Sequence, residues 1–161
     1  MRSRSVGNQT AIENEVIAEI RAMRLSSDGS LVRNLLGNPA MLVRHFILAS
    51  HGNVRLRLST IAGEIAAEMR ALERAFFSEY KMTMTQSQVK IRIDFAKWLL
   101  GIYPPTKIRA VAATLGYKRV QDFNRFFKKH MSHSPAEWAR RERARIAGTG
   151  KMIPSSEALL S

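Results

Sequence analysis

Between Lys107 and Trp138 the chain interleaves cations and amides with apolar residues at helical spacing. Val120, Phe123, Phe126, Phe127 and Met131 recur as an apolar stripe, with Lys118, Arg119, Gln121, Asn124, Arg125, Lys128 and Lys129 set among them. A helix of this pattern can seat one side in a core and hold hydrogen-bond donors out on the other. The chemistry open to those donors is recognition of a polyanion. Guanidinium forks and side-chain amides match base edges, and ammonium groups match phosphates. Just upstream, Ile108, Val111, Ala112 and Leu115 mark a shorter helix that Gly116 ends. Two helices joined by a tight glycine turn have the helix-turn-helix layout, whose second helix enters a major groove.

The charge balance agrees. Among 161 residues, 26 Lys and Arg stand against 13 Asp and Glu, a formal net charge of +13. Such an excess favours polyanions, because each neutralised phosphate releases condensed counterions; acidic membrane surfaces and acidic proteins are the competing partners. The excess is local. Eleven basic residues lie from Ile102 to Arg145 against Asp122, Glu137 and Glu142, whereas from Met1 to Gly37 five face four acidic ones. A hydrophobic fraction of 45% supports a folded core. No cysteine is present, which excludes disulfides, thiolate zinc sites and a cysteine nucleophile. No apolar run approaches the length of a membrane span. The basic opening Met1–Ser5 lacks a following apolar region, so a cytoplasmic protein with no membrane contact is expected.

The elements that must position these donors read as helices throughout. Thr10 and Glu13 have capping-box spacing, and Ile12, Val16, Ile20 and Met23 form a stripe behind them. A short helix over 30–36 stops at Gly37, and Pro39 opens another that carries Leu42, Phe46 and Ala49 and ends near Gly52. Two more are expected over about 59–66 and 69–80. From Val89 to Trp98 the pattern fits either a strand or a helix ending at Gly101; nothing nearby offers a partner strand, which favours the helix. Pro104 and Pro105 read as a loop, and the end from Gly148 to Ser161 as a loose tail. The pair over 58–80 parallels the pair over 108–131 at an offset of about fifty residues. Ile61-Ala62 aligns with Val111-Ala112, Ala66 with Gly116, and Leu72-Glu73-Arg74-Ala75-Phe76 with Phe123-Asn124-Arg125-Phe126-Phe127.

These motifs together resemble the DNA-binding domain of the AraC/XylS family of bacterial transcription regulators. The second unit carries Val111-Ala112, Gly116-Tyr117, Phe123-x-Arg125-x-Phe127-Lys128, Ser134-Pro135 and Trp138 in the family's order. The first carries Leu72-x-Arg74-x-Phe76, and the connecting helix Arg92-Ile93-Asp94-Phe95-Ala96 and Leu99-Leu100. The likeness covers roughly Pro39 to Arg145. It implies an all-α fold of two helix-turn-helix units on a long linker helix, with extra amino-terminal helices. The expected organisation is an extension over 1–37, a DNA-binding domain over 38–145 and a flexible tail over 146–161. Against the family pattern, Ala66, Lys81 and Ser132 replace glycines, and Glu68 replaces a serine that starts a helix. A side chain at a left-handed position costs about 1 kcal/mol or more, so the first unit is expected to be distorted or to read DNA weakly.

By family position, the groove side of the second recognition helix holds Arg119, Val120, Gln121, Asp122 and Arg125, although Val120 also falls on the apolar stripe. The resemblance thus implies base readout by Arg119, Gln121, Asp122 and Arg125, and by Arg70, Glu73 and Arg74 in the first unit. Lys107, Lys118, Lys128 and Lys129 are expected on phosphates. A plainer reading stands beside these: Arg125 pairs with Asp122 or Glu137 on a solvated face, and Arg74 with Glu73 or Glu79. Phe123, Phe126 and Phe127 read as core. Phe77 stands where the family has a polar residue, and either packs on the amino-terminal helices or serves a partner. His130 and His133 are three residues apart, but no complete ligand set accompanies them, and no catalytic constellation stands out. Neither metal, cofactor nor enzymatic activity is expected.

The resemblance implies a regulator bound to double-stranded DNA, without the β-rich sensor domain that many members carry. Control would then come through abundance or through a protein on the amino-terminal helices, and the Val16, Ile20 and Met23 stripe fits either a homodimer seam or packing on its own domain. Family likeness leans toward activation through RNA polymerase. Two other functions stay open: a non-specific nucleic-acid-binding protein, and a protein-docking co-regulator that depends on Phe77.

Overall fold

Short caps and apolar stripes place the helices. The computed structural model describes residues 9–26, 29–102 and 106–148. Nine helices lie among the described residues, with no strand: α1 (Ala11–Leu25), α2 (Ser30–Gly37), α3 (Pro39–Ala49), α4 (Leu58–Glu64), α5 (Met69–Tyr80), α6 (Met84–Gly101), α7 (Ile108–Thr114), α8 (Val120–Met131) and α9 (Pro135–Gly148). The ambiguous stretch around Val89 is thus helical. The loop expected at Pro104-Pro105 lies outside the described residues, as does the expected tail from 149 onward, whereas residues 146–148 of that tail are instead the last of α9. No described helix is long and apolar enough to cross a membrane.

The chain divides into two compact units, 1–89 and 90–161, and the division falls within α6. In the first unit, Val16 and Ile20 of α1 are buried with Leu42, Phe46 and Ile47 of α3, Ile61 and Ala62 of α4, and Leu72 and Phe76 of α5. The α1 stripe therefore packs within its own unit and is not an open dimer seam. Its start is held by the expected capping box, in which the Thr10 side chain accepts from the Glu13 amide and the Glu13 carboxylate accepts from the Thr10 amide. Glu13 does more than cap. Fully buried, it accepts from Nε (2.8 Å), Nη2 (3.1 Å) and the backbone amide (3.2 Å) of Arg57, and from the Thr60 hydroxyl (2.9 Å). Burial alone would raise its pKa; these bonds, led by the Arg57 side chain, overcome that and bring it down to about 2. Arg21 and Arg24 add bonds to Glu64 at the end of α4.

The second unit closes around Ile93, Ala96, Leu100, Val111, Ala112, Leu115, Phe123, Phe127 and Ala139. Its α7 and α8 repeat α4 and α5 in length, 7 and 12 residues in both cases. The turns repeat as well. Ala66 and Gly116 both take positive φ, at 55° and 89°, and Lys81 and Ser132 end their helices in the left-handed region at 57° and 62°. In the first turn the Ala67 amide reaches the Ala62 carbonyl at 2.9 Å, and in the second the Tyr117 amide reaches Ala112 at 3.0 Å. The expected distortion of the first unit is therefore absent from its turn. The non-glycine residues adopt the left-handed backbone and carry its cost, while the hydrogen bonds are kept.

Candidate nucleic-acid interface

The reading face of α8 follows from what its other side buries. Phe123 and Phe127 are fully buried, and Val120, Phe126 and Met131 pack half-buried against the same core. Val120 thus belongs to the apolar side and not to the groove side. Tyr117, from the turn, lies near Phe123 and Phe126, with ring centroids 5.6 and 5.8 Å apart. From α6, the buried guanidinium of Arg92 sits 4.9 Å from the Phe126 ring and bonds the Tyr117 hydroxyl. Arg92 is a brace for α8 that helical periodicity did not reveal; the Arg-apolar pattern of the linker was its only sequence signal. Asn124 is half-buried, so it leaves the donor row.

On the opposite side Gln121, Arg125, Lys128 and Lys129 are exposed, and Lys118 and Arg119 flank the helix start. Three of the predicted readers come together there. Asp122 accepts from Nε and Nη2 of Arg119 at 3.0 and 3.2 Å, and from Nη2 of Arg125 at 2.6 Å. The Arg119 side chain is the main cause that holds the Asp122 carboxyl below its ordinary range, with Arg125 adding to it. Glu137, the other acid within reach in the sequence, is engaged elsewhere: it accepts from the Ser134 amide and caps α9. The plain pairing of Arg125 is therefore present, and it goes to Asp122. Both arginines remain exposed, 68% and 74%, so these pairs add little to the stability of the fold.

Lys107 stands apart from this row. It precedes α7 and lines a shallow groove with Arg140 and Arg143 of α9, over a floor of Leu100, Ile108 and Ala139. The two arginines are phosphate-binding candidates that the sequence reading missed, although their spacing of three on a helix was a usable signal.

The first unit offers the same frame with a different surface. Leu72 and Phe76 are buried at the places of Phe123 and Phe127, and Arg70, Glu73 and Arg74 are exposed on α5. The pairing of Arg74 with Glu73 or Glu79 does not occur among the described residues. Glu68, at the helix start, accepts from the amides of Arg70 and Ala71 at 3.0 and 2.8 Å, so the acid performs the capping task of the serine it replaces. Phe77 is 54% exposed, at the place Lys128 occupies in the second unit, and is not buried by the amino-terminal helices. Among the described residues no group of three or more His, Asp or Glu side chains could hold a metal ion.

Comparison with known proteins agrees with this geometry. A family model described as a helix-turn-helix domain matches residues 61–141, half of the chain. The solved C-terminal domain of AraT, a response regulator from Geobacillus stearothermophilus, is 25% identical, with a TM-score of 0.57 over 63% of this chain and 84% of that one. Two further structures share the fold at lower identity. The DNA-binding domain of AdpA, a global transcriptional factor solved in complex with a target DNA, is 22% identical at a TM-score of 0.58, covering 67% of this chain and 96% of that one. A DNA-binding transcriptional dual regulator from Escherichia coli K-12 is 23% identical at 0.54, covering 66% and 94%. No curated protein matches.

Proposed function

The chain belongs to the AraC/XylS-type helix-turn-helix family of DNA-binding transcription regulators, and we propose that it reads a specific duplex sequence with α5 and α8 as recognition helices in successive major grooves. The observation that carries this is α8 itself: Phe123 and Phe127 are buried on one side, and Gln121, Arg125, Lys128 and Lys129 are exposed on the other. Arg119, Gln121 and Arg125 have the donors for base edges, as Arg70 and Arg74 do in α5, with Glu73 able to accept from a cytosine amine. Lys118, Lys128 and Lys129, with Lys107, Arg140 and Arg143, suit phosphates. The AdpA domain, solved with a target DNA, supports double-stranded DNA as the partner. We assign reading to 38–145 and treat 1–37 as an extension. Its exposed Leu25 and Leu31 suit a regulatory protein or a second copy of the chain. The regulatory sign we favour is activation through RNA polymerase, tested by transcription from a selected site in a purified system.

Selection of bound sequences from a random duplex pool, at about physiological salt, tests the reading. Wild type should enrich a motif with two half-sites about one helical turn apart. Arg125→Ala should lose preference at one base pair, at a cost of roughly 1–3 kcal/mol. Tight binding without any enriched motif would leave a charge-only binder. The exposed Phe77 favours a second reading, docking of a protein on α5; there Phe77→Ala would abolish function while Arg70→Ala and Arg74→Ala would not.

A further inference from the structure

We infer that Asp122 is a positioning residue of the recognition helix, bracing Arg119 and Arg125 so that two guanidinium forks face the groove in fixed orientation, and that it does not itself contact a base. This rests on the reading above that α8 enters a groove. Residues 119, 122 and 125 recur every third position and form one row on the helix. Within the row the acceptor lies innermost: the Asp122 side chain is 33% exposed, against 68% and 74% for the arginines. A base-reading carboxylate needs the reverse arrangement, with its oxygens at the tip. Both oxygens are engaged by guanidinium groups. Each arginine keeps enough N–H groups to grip guanine O6 and N7, because guanidinium carries five donors and guanine needs two.

Charge points the same way. A carboxylate at a phosphate-lined surface opposes general affinity, so its presence there makes sense as a gain in discrimination. Fold stability is a weak motive, since exposed ion pairs contribute little. Asp122 also sits in the first turn of α8, where an acid favours the helix. That role alone would alter stability without altering base preference. The internal repeat supplies a contrast. Ala71 holds the place of Asp122, Glu68 that of Arg119, and the carboxylate of Glu68 is taken up by backbone amides. Arg74, the counterpart of Arg125, is exposed and makes no ion pair among the described residues. Discrimination should therefore be sharper in the half-site under α8 than in the one under α5.

The test measures binding of the full chain to its selected duplex, to duplexes carrying single changes under α8, and to random duplex. Wild type, Asp122→Asn, Asp122→Ala and Ala71→Asp are compared, with thermal unfolding alongside. Both Asp122 variants should bind random duplex as tightly as wild type or tighter. Their preference for the selected sequence should fall about three- to fivefold at each of the two base pairs read by the arginines. Ala71→Asp should sharpen preference in the half-site under α5. Loss of preference at a single base pair, the other staying intact, would make Asp122 a direct reader and overturn the inference. Unchanged preference with lowered stability would reduce it to a helix-stabilising acid. If wild type enriches no motif, the groove reading falls and the brace with it; if wild type enriches a motif that Asp122→Asn retains in full, only the brace falls.

Discussion

Of the four described non-glycine residues at positive φ, His51 at 53° follows α3, and the other three lie in the turns of the repeated units, where glycine would carry less strain. Ala66, Lys81 and Ser132 all hold φ between 55° and 62°. Crowding of Cβ against the neighbouring carbonyl in this region costs about 1–2 kcal/mol. Lys81 recovers some of it, because its ammonium bonds the Ser78 carbonyl at 2.6 Å and thereby satisfies the end of α5. Ala66 has no such side-chain bond. Ala66→Gly should therefore stabilise the chain, by about 0.5–1 kcal/mol after allowing for the greater freedom of glycine when unfolded. The midpoint of urea unfolding checks this, and a fall in the midpoint would mean that the turn is relaxed as it stands. The positions were legible in the sequence, since they stand where the family has glycine. That the backbone would keep its shape was not, because strain at one residue is opposed by every hydrogen bond around it.

Helices of equal length present unequal surfaces. In α8 the exposed side gathers Arg125, Lys128 and Lys129, whereas α5 offers Arg70 and Arg74 beside Glu68, Glu73 and Glu79, with Phe77 between them. Element placement has its own electrostatic anchor in Glu13, which ties the start of α1 to Arg57 and Thr60. Its pKa, about 2 in the fold against an ordinary 4.5, sets the sign: the stabilisation is complete above about pH 4.5 and is lost as pH falls toward 2. Because the Arg57 guanidinium is open to solvent, the contribution is on the order of 2 kcal/mol, less than the full shift would imply. Glu13→Gln should lower stability at neutral pH by about this amount and flatten its dependence between pH 4.5 and 2. Denaturant unfolding at a series of pH values makes the comparison, and parallel curves for wild type and variant would remove Glu13 from the account.

At the scale of the whole molecule, a net charge of +13 makes duplex affinity a function of salt. Each phosphate neutralised adds about −0.9 to the slope of log affinity against log salt. Lys128→Ala should therefore weaken specific and random duplexes alike and make the slope shallower by about 1. Affinities measured across a salt series decide it; a loss confined to one sequence would move Lys128 from phosphate to base. Arg125→Ala is expected to behave in the opposite sense, losing preference more than it loses general affinity.

The sequence alone determined where most helices begin and end and which side of each is apolar, because caps and stripes act within a few residues. Thr10 with Glu13, Pro39, Gly116, and the pair Phe123 and Phe127 were all sufficient in this way. The repeat of the two units was legible too, since it is a repeat of those local signals. Tertiary structure decided what depends on residues far apart in the chain. Glu13 reads as a cap until Arg57 and Thr60 fold over it. Arg92 reads as a linker cation until Phe126 and Tyr117 arrive beside it, and Lys107 joins Arg140 and Arg143 only once α9 is in place. Even the choice of Arg125 between two acids required the fold: Glu137 is taken by the cap of α9, and Asp122 remains. Spacing assigns a side chain to a face, but a partner is assigned only by the competition among all the groups that folding brings within reach.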